Sequence, residues 1–132
     1  MSGKWLPFPK GAALGQTSIG IFVGASEAVI KNNQVYTDGP EATALVIRGA
    51  NCSVTDNRTE GMGKMSCLIG PLGKSPAKGN KLNGNIFKGF KATVADVVFE
   101  KGGDDNEVIG EAGTVSDGGV GNKIMGMSLL SK

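Results

Sequence analysis

Short apolar runs recur along this chain about once every two dozen residues. One set reads Ile21-Phe22-Val23, Leu45-Val46-Ile47, Cys67-Leu68-Ile69 and Val97-Val98-Phe99, with centres 24, 22 and 30 residues apart. A second set is anchored at Ile30, Val54, Leu82, Val108 and Ile124, with gaps of 24, 28, 26 and 16. Two landmarks that drift together define a repeat, and a period of this length marks stacked repeats. The runs are three to five residues of Val, Ile, Leu, Phe and Thr, broken by Gly, Asn or Asp every eight to twelve positions. That spacing predicts strands and turns, not helices. A coil of two or three strands fits the period, as one rung of a parallel β-helix requires.

Alignment of the second set assigns a task to each position. Two residues before the anchors stand Ala28, Cys52, Asn80, Asn106 and Asn122. The period-two geometry of a strand turns them to the same side as the anchors, the interior. Three residues after the anchors stand Asn33, Asn57 and Asn85, followed by Glu111 and Met127. Stacked asparagines pass amide hydrogen bonds along the stack while holding their own bends, which predicts a structural ladder of Asn33, Asn57 and Asn85. The position before the ladder holds Asn32, Asp56, Gly84, Gly110 and Gly126, residues that tolerate a left-handed backbone. Beyond it, Val35, Thr59, Phe87, Gly113 and Leu129 are expected to return to the interior.

The pattern N-x-(V/I/L)-x-x-N at coil spacing resembles that of right-handed parallel β-helix proteins, the superfamily of pectate lyases, pectinases and phage tailspikes. The likeness spans residues 18 to 130 or so and specifies a fold far better than an activity. The expected fold is all-β: a right-handed parallel β-helix, or solenoid, of about five short coils over residues 18–132. An N-terminal capping or covering segment, residues 1–17, carries Trp5, Leu6, Phe8 and Leu14. The stretches 70–79 and 101–106 are turns of unequal length, the sort of place where repeat proteins put binding surfaces. From Gly113 the last coil is short by some eight residues and reads as a frayed or capping rung.

If the flanking residues of the first set point inward, Phe22, Val46, Leu68 and Val98 point outward on one sheet. An apolar outer stripe of four rungs is either an oligomer interface or a surface covered by the N-terminal segment or a loop. The resemblance to tailspikes favours a homotrimer.

Composition narrows the function classes. The chain has 132 residues and is 39% apolar, ordinary for one folded domain, while its 22 glycines are more than twice the usual share and, with only five prolines and no Gly-x-y period, point to many turns. Its 14 basic and 12 acidic side chains leave a net charge of +2, too small and too interspersed to call for a nucleic-acid or membrane partner. No apolar run reaches transmembrane length, and Pro7 and Pro9 interrupt any signal-peptide core, so a cytoplasmic or virion-associated location is expected. Cys52 and Cys67 are read as small buried residues rather than a disulfide, and with no histidine in the chain no metal or other cofactor is expected.

The absence of histidine also removes the commonest general base. Carboxylate chemistry remains: Asp96, Glu100, Asp104 and Asp105, acting with Arg48 or a lysine, are the candidates for a polysaccharide lyase or glycoside hydrolase. Against this, adjacent aspartates beside Gly-Gly are typical turn formers, as are Asp38 and Asp117. The lysines at 74, 78, 81, 88 and 91 form a loose basic neighbourhood suited to an anionic polysaccharide. The sequence thus reads as a non-catalytic structural or carbohydrate-binding module that assembles into an oligomer, from a phage tail or cell-surface protein, with carboxylate catalysis as the alternative.

Overall fold

A computed structural model describes residues 19–37, 39–87, 90–110 and 113–130. The segment read as an N-terminal cap lies outside the described residues, as do Asp38, Lys88 and Glu111. Among the described residues every regular element is a strand, and all pairing between strands is parallel. The first sheet contains β1 (Ile19–Val23), β4 (Thr43–Ile47), β7 (Met65–Ile69), β10 (Val97–Phe99), β12 (Thr114–Asp117) and β14 (Ser128–Leu129), side by side in that order. The second contains β2 (Val29–Lys31), β5 (Ser53–Thr55), β8 (Lys81–Asn83), β11 (Glu107–Ile109) and β13 (Lys123–Met125), and the third β3 (Gln34–Thr37), β6 (Arg58–Gly63) and β9 (Phe90–Ala92).

The chain visits the three sheets in rotation, and each strand pairs with its equivalent from the next circuit. In-register pairing turns the sequence repeat into columns of side chains. Leu45, Cys67, Val97 and Val115 form one buried column of the first sheet, and Val23, Ile47, Ile69 and Phe99 form another. In the second sheet Ile30, Val54, Leu82 and Val108 stack directly, with Ile124 partly buried beneath them. Val35 over Thr59 continues the core in the third. Each large apolar side chain so enclosed contributes about 1.5–3 kcal/mol through burial.

One level of the first sheet breaks the in-out alternation. All five residues of β4 are buried, and Ala44 packs in the core beside Leu45. On the next strand the Ser66 hydroxyl lies 3.0 Å from the Thr59 hydroxyl, and a Cβ on Gly20 would overlap the Val35 side chain and approach the Ala44 carbonyl oxygen to 2.7 Å. Gly20, Ala44 and Ser66 therefore line the edge of the first sheet that packs against the third, from which the chain has just come, and a larger side chain at Gly20 would not fit there. The sequence pattern did not reveal this edge, because none of the three is a strong apolar marker.

A second difference concerns the end of the third sheet. Gly113 and Leu129 do not extend it: Leu129 lies in β14, opposite Val115 of the first sheet, and is exposed. After β11 the chain passes straight back to the first sheet at β12. The 16-residue gap between Val108 and Ile124 explains the change, since it is about one strand and one turn shorter than the earlier gaps of 24 to 28.

Both cysteines are buried and unbridged. Burial in the apolar column pushes the Cys67 thiol up to about 12. A thiol held neutral by the fold and free to ionise in the unfolded chain gives stability that is fully present below the unfolded value and falls as pH rises above it. Denaturant midpoints should therefore be unaffected by this group at neutral pH and decline from about pH 9 upward, with Cys67→Ala removing that part of the decline. At pH 8 a disulfide reagent should label the native protein far more slowly than the unfolded chain, as thiol absorbance assays will read.

Candidate functional site

The bends on either side of the second sheet are built alike. On one side Asn32, Asp56, Gly84 and Gly126 have φ between 56° and 76°, and on the other Glu27, Asn51, Gly79, Asp105 and Gly121 have φ between 55° and 76°. Each left-handed residue precedes one whose side chain points inward. Such a corner leaves buried backbone groups without strand partners, and side-chain amides supply them.

Asn33, Asn57 and Asn85 stack one per circuit. Asn33 donates to the Asn57 Oδ1 through both its backbone N–H (3.0 Å) and Nδ2 (3.1 Å), and Asn57 donates to the Asn85 Oδ1 in the same two ways, each at 3.0 Å. The remaining amide protons reach back, from Asn57 Nδ2 to the Ile30 carbonyl (3.0 Å) and from Asn85 Nδ2 to the Val54 carbonyl (2.8 Å). A second ladder runs along the opposite corner. There the Asn80 N–H and Nδ2 donate to Asn106 Oδ1 (2.9 and 3.0 Å), and those of Asn106 donate to Asn122 Oδ1 (2.9 and 3.1 Å). Its upper end is closed by the Cys52 backbone N–H, which donates to Asn80 Oδ1 at 2.8 Å. The sequence reading placed Asn80, Asn106 and Asn122 as inward-facing amides but not as a ladder. Their common position two residues before the anchors was the available signal.

The candidate catalytic residues are distributed over structural tasks. Asp96 Oδ2 accepts from the Thr114 N–H (2.9 Å) and lies 3.4 Å from the Thr114 hydroxyl. Asp104 Oδ1 accepts from the Val120 N–H at 2.9 Å. Asp105 is a left-handed corner residue whose carboxylate lies over Gly121, where a Cβ would clash with it. Asn51 over Gly79 and Asp56 over Gly84 repeat the arrangement. Asp117 Oδ1 accepts from the Gly119 N–H (3.0 Å) and from Asn122 Nδ2 (2.8 Å).

Of the five candidates, the structure brings Arg48 and Glu100 together. They directly follow β4 and β10 and form an ion pair across the intervening Gly70, where any Cβ would strike both side chains. Arg48 is the better covered of the two, and its guanidinium also approaches the Pro71 carbonyl at 3.5 Å. Two partly solvated charges held in this way make a clasp between alternate circuits worth up to about 1 kcal/mol. Among the described residues no group of three or more Cys, Asp or Glu side chains is placed to hold a metal ion.

Phe22, Val46, Leu68 and Val98 lie in one register column of the first sheet, followed by Ser116. Their exposure is uneven: Phe22 is 54% exposed, Leu68 and Val98 are half-buried, and Val46 is buried at 2%. Leu72, exposed on the 70–79 turn, lies beside Gly24 on the same side as the Phe22 ring. The apolar surface open to solvent is thus centred on Phe22 and Leu72 and descends to Leu68 and Val98.

No protein-family model, curated protein or solved structure matches this chain.

Removing a mid-ladder amide leaves several buried groups unpaired at once. Asn57→Ala takes the acceptor from Asn33 and a donor from the Ile30 carbonyl, and should cost about 3–5 kcal/mol in chemical denaturation. Asn122→Ala, at a half-buried end where water can substitute, should cost less than half as much.

Proposed function

We propose that the three sheets wind as a right-handed parallel β-helix of about five short coils, and that the protein is a non-catalytic structural module that self-associates through the outer face of its first sheet. The observation that carries this reading is the register column in which Phe22, Leu68 and Val98 are open or half-open to solvent around the buried Val46, joined at its upper end by the exposed Leu72. Apolar residues aligned on an outer face and partly open to solvent suit a contact with a second such face. A cyclic homotrimer brings three equivalent faces together around an axis, the arrangement that the resemblance to tailspikes implies. Carboxylate chemistry draws no comparable support: Asp96 and Asp104 accept from backbone N–H groups of the following circuit, Asp105 shapes a corner, and Glu100 pairs with Arg48.

Light scattering on the purified chain tests the assembly. The expected mass is three times 13.5 kDa, and Phe22→Asp and Val98→Asp, both at positions that are not fully buried, should each shift it toward the monomer without loss of the strand signal in circular dichroism. A wild-type monomer at micromolar concentration, or a trimer indifferent to both changes, overturns the proposal.

The second sheet offers the surface for a polar or acidic polysaccharide. Its outer positions include Lys31, Ser53, Thr55, Lys81, Asn83 and Lys123, with Glu107 between Lys81 and Lys123. Mobility in gels containing a polyuronate should be retarded for the wild type and restored by Lys81→Glu with Lys123→Glu. Equal mobility with and without the polysaccharide removes this ligand class.

A further inference from the structure

The outer face of the second sheet carries its charges by strand. In the spatial order β2, β5, β8, β11, β13, exposed lysines stand on the first, third and fifth strands: Lys31, Lys81 and Lys123. The strands between them carry no cation, for β5 presents Ser53 and Thr55 and β11 presents Glu107. Register sets Glu107 directly between Lys81 and Lys123. The corners reinforce the alternation, with the exposed Asp56 directly after β5 and the exposed Asp105 just before β11. Glu27, at a corner of the first circuit, is the exception. Among the described residues none of the three lysines and not Glu107 is held in an ion pair, so these charges face solvent.

Stacking fixes the spacing of these charges. Neighbouring strands lie about 4.8 Å apart, so successive lysines are separated along the stack by about 9.6 Å. Lys31 stands two residues along the strand from the column of Lys81 and Lys123, an offset of about 6.6 Å that flexible four-carbon stems take up. A sugar in an extended polysaccharide advances by about one strand spacing, so an acidic polymer lying along the stack meets a cation at every second sugar. Where every sugar is a uronate, the carboxylates between lysines fall on neutral hydroxyls at Ser53 and Thr55 and on the repelling charge of Glu107. Where acidic and neutral sugars alternate, each carboxylate meets a lysine, and the neutral sugars present hydroxyls that Ser53, Thr55 and Glu107 can accept from. We propose, building on the polysaccharide reading of this sheet, that it selects polymers in which an anionic sugar recurs at every second residue, with Lys31, Lys81 and Lys123 binding the anions and Glu107 rejecting a charge in the place between. Avoidance of like-charge neighbours in an in-register stack also produces alternation. The two accounts part on Glu107, which under the second serves stability alone.

Affinity electrophoresis of the full chain reads the selectivity. Two probes are compared: hyaluronate, in which a uronate alternates with a neutral amide sugar, and polygalacturonate, in which every sugar is a uronate. At equal uronate content the dissociation constant should be about fivefold lower for hyaluronate, the size of one exposed charge interaction. Glu107→Gln should tighten binding to polygalacturonate and narrow that preference. Lys64→Gln, which removes a cation paired with Glu41 away from this sheet, should leave both affinities unchanged. Equal affinity for the two polymers, tighter binding to polygalacturonate, or a preference that Glu107→Gln leaves intact overturns the inference while the polysaccharide reading stands. Retardation by neither polymer removes both.

Discussion

Parallel, in-register stacking is the constraint on which everything else in this molecule depends. Strands here cannot be joined by tight hairpins, so each must wait a full circuit for its partner, and the corners between sheets are stacked along with the strands. A stacked corner is the costly part, because its backbone turns away from the ladder of strand hydrogen bonds while remaining buried. Asn57 shows the remedy: one amide accepts two N–H groups from the circuit before, returns one proton to the Ile30 carbonyl and passes the other to Asn85. No aliphatic side chain can do this. The apolar columns give the stack its core, and the asparagines make its bends tolerable.

Because stacking is in register, a three-dimensional column projects onto the sequence as a period. That is why the inward columns of the first and second sheets were legible from spacing alone, and why the left-handed corner at Asn32, Asp56, Gly84 and Gly126 could be read from residue type. Features without a strong marker were not legible. The inward edge of Gly20, Ala44 and Ser66 is defined by smallness, which many exposed positions share. The second ladder begins with Ala28 and Cys52 before the asparagines start, and this mixed column hid its chemistry. The third sheet stops because a gap shortens, and spacing alone does not say whether a short circuit loses a turn or a strand.

The acidic residues illustrate how stacking redirects chemistry that would otherwise suggest catalysis. Asp96, Asp104 and Asp117 each sit where a backbone N–H points at them, from the start of β12 for Asp96 and from the turn after it for the other two, and each uses its carboxylate on that group. Asp96 and Asp104 in this way tie one circuit to the next and Asp117 braces its own turn, and moving any of them would uncover a donor. The pair of Arg48 and Glu100 obeys the same logic on the outer rim, since Gly70 between them leaves room for the clasp to span two strand spacings.

An amide ladder also has a direction. At every step the amide oxygen accepts from the earlier circuit, and one amide proton is passed on to the oxygen of the later one. The two ends of the stack are therefore chemically unlike: the first-circuit end offers an acceptor and calls for a donor, while the other end offers donors. At the later end the second ladder finishes on Asn122, whose Nδ2 is taken up by the Gly103 carbonyl and the Asp117 carboxylate, so that end closes on itself. Among the described residues the first-circuit end shows no such closure at Asn33, and Ile19, Val29 and Tyr36 are exposed. Polarity of this kind favours growth or capping at one end only, and it separates the end of the stack from its outer face. The proposed lateral association through Phe22, Leu68 and Val98 would leave the ladder axis untouched, because those side chains stand on a sheet face and the ladder runs inside the stack.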